Sequence, residues 1–297
     1  MLQQTIEGIL ALDFDLTQVE IIVVTQNATL TYQPPATGAA FKVIYRPANS
    51  TISASRNIGV QASCGEYLAF IDADILLSKN WLTVMIAEMQ AKAGRVLTSA
   101  AQRCEPDAPR LEQIRTIMNE SADTPVEFLD GRNLFLPRAV FEQTGGFPEH
   151  LITCEDYFFT HRVHQLGEMY RTSKATYIHL GEDKRYGEMF HKEIWRGQSN
   201  LQSLKGRPIP LREWPSVIAP LYEASCATSF LVGMLFRFPL MMFMSLLWFL
   251  LPIAAYALRL FMLGKGRIPL WEAIWFYLVY FPARAIGTVS GLFKQIH

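Results

Sequence analysis

Ser53 to Asp74 reads SASRNIGVQASCGEYLAFIDAD, and its pattern is a helix over Ser53–Ser63, a short turn, a buried strand over Glu66–Ile71 and two acids at the strand's end. Working outward, Val19–Val24 (VEIIVV) is a continuous β-branched run bounded by Thr25, Gln26 and Asn27, and Leu2–Leu12 places apolar side chains at helical spacing. Lys42–Tyr45 reads as another strand. Asn80–Ala93 reads as an amphipathic helix with Trp81, Val84, Met85 and Met89 inward. Strands alternating with helices predict an α/β domain with a mostly parallel sheet flanked by helices. In such sheets ligands bind beyond the carboxyl ends of the strands, and Asp72 and Asp74 occupy such an end.

Two carboxylates two residues apart can converge on one cation. A hard divalent ion takes oxygen ligands and keeps open positions for substrate phosphates, so this pair suits a diphosphate leaving group. The same spacing also fits a solvated turn in which Asp74 caps a following helix. Lys plus Arg and Asp plus Glu are equal at 27 each, so the net charge supplies no long-range attraction for nucleic acid or an anionic surface; no nucleic-acid partner is expected. Cys64, Cys104, Cys154 and Cys226 are widely spaced and form no C-x-x-C pair, which reads as buried free thiols rather than a zinc or redox motif. The N-terminus shows no basic stretch followed by an apolar run and a small-residue site, so the first domain is expected in a cytosolic, reducing compartment.

Three segments in order, Ser53–Asp74, Gly131–Phe147 (GRNLFLPRAVFEQTGGF) and Glu155–Gly167 (EDYFFTHRVHQLG), make residues 5 to 200 resemble the family 2 glycosyltransferases, which have the GT-A, Rossmann-like fold. The resemblance implies that Asp72 contacts the nucleotide or its metal, that Asp74 ligates Mn2+ or Mg2+, and that Asp156 takes the proton from the acceptor hydroxyl. It also places Arg56, Asn57 and Arg132 on the nucleotide-sugar side and makes inversion at the anomeric carbon the expected outcome. A carboxylate near its ordinary pKa is a weak base, so Asp156 needs a partly desolvated site, which Tyr157, Phe158 and Phe159 can supply; Glu155 is the other candidate. The two acids equally suit a helix N-terminus, where they complement the dipole, and both readings can hold together.

Further on, His179, Lys184, Arg185, His191, Lys192 and Arg196 form a basic stretch. Related enzymes close a loop over the diphosphate in this region, which makes Arg196 a candidate for the leaving group; a juxtamembrane basic face meeting acidic lipids is the alternative. His179 is a candidate third metal ligand or a hydrogen-bonded structural histidine. Gly145-Gly146 marks a turn before Phe147. The chain departs from the family at its start: the usual first strand is not found before the Leu2–Leu12 helix, and Thr25–Asn27 stand where acids usually contact the nucleoside.

From Phe238 to Leu258 no residue is charged. About 21 residues at a rise of about 1.5 Å reach about 31 Å, close to a bilayer's hydrocarbon thickness, so this segment is expected to span a membrane, with Pro239 and Pro252 kinking or offsetting it. Residues 217–236 and 268–293 are further spans or interfacial helices, the latter with Trp271, Trp275, Tyr277 and Tyr280 suited to headgroups. Positive charge on both sides of the main span leaves its orientation open. The domains expected are a GT-A domain at 1–205 and a membrane-associated region at 206–297. The resulting expectation is a hexosyltransferase using a nucleotide-diphosphate sugar and a lipid-linked or glycan acceptor at the cytosolic face of a membrane, the bacterial inner membrane being the expected one. An inactive membrane scaffold in glycan assembly is the alternative.

Overall fold

The computed structural model describes residues 1–30, 32, 38–120, 123–198 and 214–294. In chain order its elements begin with α1 (Leu2–Leu10), β1 (Glu20–Thr25), β2 (Ala40–Tyr45), α2 (Ile52–Gln61), β3 (Tyr67–Ile71), β4 (Ile75–Leu77) and α3 (Trp81–Gln90). They continue with β5 (Arg95–Arg103), α4 (Arg110–Asn119), β6 (Thr124–Val126), β7 (Asn133–Pro137), α5 (Arg138–Thr144), α6 (Glu155–His164) and β8 (Glu168–His179). The last four are α7 (Tyr186–Gly197), α8 (Trp214–Leu235), α9 (Pro239–Leu263) and α10 (Leu270–Lys294). Every helix and strand expected in the first hundred residues is present within a few residues of its expected ends. Thr51 caps α2 by accepting from Ala54 N, which explains why the helix begins just before Ser53.

Contacts divide the chain into two units, Met1–Asp107 with Asn119–Glu182, and Ala108–Met118 with Asp183–His297. The first is α/β. Its β1–β2 pair is parallel, and its six-stranded sheet runs β3-β7-β5-β8-β4 with β6 on β8. Within that sheet β5–β8 is parallel while β3–β7, β5–β7, β4–β8 and β6–β8 are antiparallel, so the sheet is mixed. The parallel character read from the early βαβ alternation resides in β1–β2 and β5–β8. The antiparallel pairs join strands far apart in sequence, which local alternation cannot reveal.

Side chains alternate across the sheet. Leu134 and Leu136 of β7 join Leu68, Phe70, Phe147 and Phe159 on one face, while Phe135 joins Trp81, Met85 and Tyr177 on the other. Trp81, Met85 and Met89 are buried in α3 as expected and Val84 is half-buried. Asp74 does not cap a helix: the turn after β3 leads into β4, and Leu180 N donates to Asp74 O at 2.8 Å. Of the four thiols expected buried, Cys226 is buried, Cys104 and Cys154 are half-buried, and Cys64 is exposed, because it lies in the turn between α2 and β3.

In the second unit α8 and α9 are joined by three residues, and Tyr222 Oη donates to Trp248 O at 2.9 Å, so they form an antiparallel hairpin. Two helices among the described residues, Ile218–Leu235 and Pro239–Leu263, are long and apolar enough to cross a membrane, with mean hydropathy 1.3 and 2.0. The helix that holds the segment expected at 238–258 is longer, taking in Arg259. Pro239 starts the helix instead of kinking it, a position where its missing N–H costs nothing, whereas Pro252 lies inside. The expected boundary at 205/206 falls outside the described residues. Helices α7 and α10 pack closely through glycines: a Cβ on Gly287 would lie 2.3 Å from Ile194 O, and one on Gly291 2.1 Å from Gln198 O.

Candidate functional site

Strand β3 ends at Ile71, and Asp72 N donates to Arg132 O at 3.0 Å, extending the β3–β7 ladder by one bond and fixing the acid at the carboxyl end of the sheet. One turn of α2 away from its cap, Arg56 reaches the same place. Its Nη2 donates to Asp72 Oδ1 at 2.9 Å and to Gly131 O at 3.0 Å, and its Nη1 donates to Glu155 Oε1 at 2.9 Å. One guanidinium therefore ties the first acid of the turn to the first acid of α6, the planar multidonor geometry that arginine supplies and lysine does not. Burial disfavours its charge, but Asp72, Glu155 and Asp156 more than offset this and hold it firmly protonated.

Asp156 is placed by two backbone amides. Gly131 N donates to its Oδ2 at 3.1 Å and Tyr157 N to its Oδ1 at 2.8 Å. It also stands in the first turn of α6, following Cys154 with φ 65°, so the dipole-complementing reading of this pair holds structurally. Burial first, then the neighbouring Glu155, push its carboxyl up to about 7 against the pull of Arg56. A carboxyl near neutrality exchanges protons at working pH, which suits a general base. Tyr157 stacks on Phe128 at 4.8 Å between centroids, one wall of the expected apolar surroundings.

Asp74 and His179 form the other half of the site. His179 ends β8, which pairs with β4 so that Ile75 faces His179, and this register brings Nε2 to 3.1 Å from Asp74 Oδ2. Nδ1 lies 3.1 Å from Glu182 Oε2, and Arg132 Nη1 donates to Glu182 Oε2 at 3.2 Å and to Gln102 Oε1 at 3.0 Å. Burial opposes the imidazolium, yet hydrogen bonds to Asp74 and Glu182 raise His179 to about 9. Asp74 is lowered despite burial, chiefly by His179. Gly181 closes over this pair: a Cβ there would lie 2.1 Å from Asp74 Oδ2, so no side chain fits.

As a cation site the donors are the carboxylates of Asp72 and Asp74, since His179 offers a ring nitrogen only after giving up the proton that Asp74 and Glu182 hold on it. No three His, Cys, Asp or Glu groups converge at metal distance among the described residues. That donor set fits a Mg2+- or Mn2+-type ion completed by substrate phosphates, which binds through one or two carboxylates rather than in an all-protein cage.

Of the expected residues, the fold gathers Arg56, Asp72, Asp74, Arg132, Glu155, Asp156 and His179. Asn57 turns elsewhere: its Nδ2 donates to Phe147 O at 2.9 Å and to Glu149 Oε1 at 2.8 Å, and its Oδ1 accepts from Phe147 N, clamping the Gly145–Gly146 turn. Arg196 lies in the second unit, paired with Glu193 at 2.5 Å beside Arg115 and Arg284. Burial would raise Glu193, but these arginines hold it at about 2. Sequence reasoning missed Gly131, Glu182 and Gln102. Gly131 stands one residue before Arg132, and Glu182 sits three residues after His179, a spacing that brings side chains together in a tight turn as on a helix.

The model of glycosyl transferase family 2 matches residues 1–145. The chain carries a family 2 glycosyltransferase domain. A curated relative, glycosyltransferase AglE of Haloferax volcanii, is 25% identical over 153 residues, half of this chain and half of the relative, so the chain spans about half the length of the curated relative it matches. A solved structure, the mannosyltransferase PcManGT from Pyrobaculum calidifontis in complex with GDP-Man and Mn2+, is similar with a TM-score of 0.64 at 13% identity, over 99% of this chain and 84% of that one. That likeness supports the GT-A fold expected from the family 2 segments.

Proposed function

We propose that the chain transfers a hexose-type unit from a nucleotide-diphosphate sugar to a lipid-linked or polymeric glycan acceptor, with inversion. The observation that carries this is the convergence, within a family 2 domain, of the Asp72–Asp74 turn and the Glu155–Asp156 helix start on Arg56 and the Gly131 peptide. Asp156, near neutral pKa and anchored by two amides, accepts the acceptor hydroxyl's proton as that oxygen attacks the anomeric carbon and the bond to the diphosphate breaks. A single displacement of this kind inverts the centre, by the logic seen in inverting glycosidases. Glu155, engaged by Arg56, orients the helix start and leaves Asp156 as the base.

Asp72 and Asp74 would hold a divalent ion, with His179 joining them only on losing its proton, and PcManGT, solved with GDP-Man and Mn2+, supports both ion and donor class. Such an ion supplies charge stabilisation for the departing diphosphate. On this chain's side, Arg132 adds positive charge beside Asp74 and His179, and Arg56 keeps Asp72 in place.

The membrane reading rests on the α8–α9 hairpin. Lys205, Arg207 and Arg212 precede it and Arg259, Lys265 and Arg267 end or follow it, whereas Arg237 alone stands in its connecting turn. By the positive-inside rule both ends of the hairpin, and the transferase domain with them, lie on the cytosolic side. Attachment there raises the effective concentration of a membrane-bound acceptor.

Calorimetric titration of UDP and GDP into the full chain, with and without Mn2+, tests the reading. Metal-dependent binding that Asp74→Ala abolishes in a folded protein is expected. No binding to the folded wild-type chain would overturn the donor assignment and favour a non-catalytic scaffold.

A further inference from the structure

The equal totals of acidic and basic residues conceal a division of charge. The first unit, Met1–Asp107 with Asn119–Glu182, holds twenty Asp and Glu against twelve Lys and Arg; the second holds fifteen Lys and Arg against seven Asp and Glu. The cationic unit is the one that contains the apolar hairpin. A neutral chain that segregates its charge this way places its positive half where an anionic surface would be.

Within the second unit four exposed cations gather at one end, while Lys192, Arg196 and Arg284 lie farther along α7 and α10, engaged by Asp183 and Glu193. α7 runs alongside α10 in the same direction: Tyr186 meets Trp275 with ring centroids 6.3 Å apart, Glu193 meets Arg284, and Gly197 meets Gly287. The start of α7, with Lys184 and Arg185 just before it, is therefore level with the start of α10. That start follows the end of α9 by a six-residue link carrying Lys265 and Arg267. All four cations are exposed. Among the described residues no carboxylate pairs with Lys184, Arg185 or Lys265. Asp183 is matched by Lys192 and Arg115 and Glu272 by Arg110, which leaves exposed Glu188, in the first turn of α7, as the acid near Lys184 and Arg185, so the cluster keeps a net positive charge. Trp271 is 68% exposed beside them, the amphipathic ring that settles at headgroup depth. The other end of the hairpin offers Arg237 between Phe236 and Phe238, both exposed.

We propose that Lys184, Arg185, Lys265 and Arg267 form a docking rim for anionic phospholipid headgroups, seating the start of α7 and the α9–α10 turn on the charged leaflet. This rests on the membrane reading of the hairpin. The rim recognises phosphodiester charge by point contacts of exposed cations, each adding to surface attraction that falls off within a Debye length. Its work is to hold the transferase's membrane unit at fixed depth and on one face.

The test uses the full chain in nanodiscs of phosphatidylcholine alone and of phosphatidylcholine with phosphatidylglycerol, reading retained lipid by mass spectrometry and thermal midpoint. Phosphatidylglycerol should be enriched around the protein by about tenfold or more and should raise the midpoint, and high salt should erase both effects. The charge-reversed K184E/R185E/K265E chain, or K184Q/R185Q/K265Q if the reversed one fails to fold, should lose both. Arg237→Glu should keep both. Equal retention of the two lipids, or an equal loss in Arg237→Glu, would overturn the rim, as would inorganic phosphate alone reproducing the stabilisation. Failure of the wild-type chain to enter neutral discs would instead overturn the membrane reading, so the two failures are distinct.

Discussion

Asp156 is held between burial and Glu155, which favour its proton, and Arg56, which opposes it. If it is the base, it must be ionised to act, so kcat/KM should climb by about tenfold per pH unit below about 7 and level off above. Asp156→Asn should keep donor affinity and lose roughly 10²–10⁴-fold in turnover; unchanged turnover would move the role to Glu155. Arg56→Met should shift the rising limb to higher pH, because the charged neighbour lowering the carboxyl's pKa is gone. The linked stability effect has a definite sign. Asp156 is raised from 3.8 to about 7 in the fold, so the native state binds the extra proton between these values and stability falls as pH rises through that window. Asp156→Asn should therefore gain in thermal midpoint relative to wild type from pH 4 to 7 and keep the gain above it. Glu223 presents a different residue-scale case: it is 1% exposed in α8, and neither carboxylate oxygen has a hydrogen-bond partner among the described residues. Burying an unsatisfied polar group costs about 1–3 kcal/mol by mutational measures, so Glu223→Met, which removes both polar atoms at similar volume, should be neutral or stabilising by ~1 kcal/mol in detergent melts. A large loss would show that the carboxylate has an essential partner.

At the scale of elements, glycines decide how α7 meets α10. Gly287 and Gly291 let the α7 backbone approach to contact, and a side chain at Gly287 has no space; Gly287→Leu should cost about 1–3 kcal/mol by overpacking. Gly187, in the first turn of α7, meets nothing within 4 Å, so Gly187→Ala should stabilise by roughly 0.5–1 kcal/mol through helix propensity. Reversed signs in chemical-unfolding measurements would refute this account of the packing. The elements themselves were largely legible in the sequence, since β-branched runs such as VEIIVV and the periodicity of Trp81, Met85 and Met89 are local signals. Pairing was not. Nothing near Ile75 announces that β4 meets His179 a hundred residues away, and without that register the Asp74 turn reads equally well as a helix cap. The same holds for the site: the acids could be named from their motifs, whereas Gly131, Glu182 and Gln102 matter only because β7, β8 and β5 bring them there. Arg196 shows the same. Its charge was plain in the sequence, whereas its pairing with buried Glu193 was not.

At the scale of the whole molecule, a total charge of zero suggested indifference to anionic surfaces, and the division into an acidic and a basic unit removes that inference. Orientation likewise could not be read from one span with cations on both sides, but a hairpin changes the count, because its two ends share a face and only its turn reaches the other. Six cations then stand against Arg237, and moving that many charges across a bilayer against its potential is costly. The turn Phe236–Phe238 should therefore face away from the cytosol, and Cys64, exposed in the transferase domain, should face it. In right-side-out vesicles a membrane-impermeant maleimide should label a cysteine placed at Phe238 and spare Cys64 until the membrane is opened by detergent. Labelling of Cys64 in intact vesicles would reverse the orientation and put the donor site on the side that lacks cytosolic nucleotide sugars. Protection of both positions would mean that the hairpin enters without crossing, leaving the basic end alone to hold the chain at the surface.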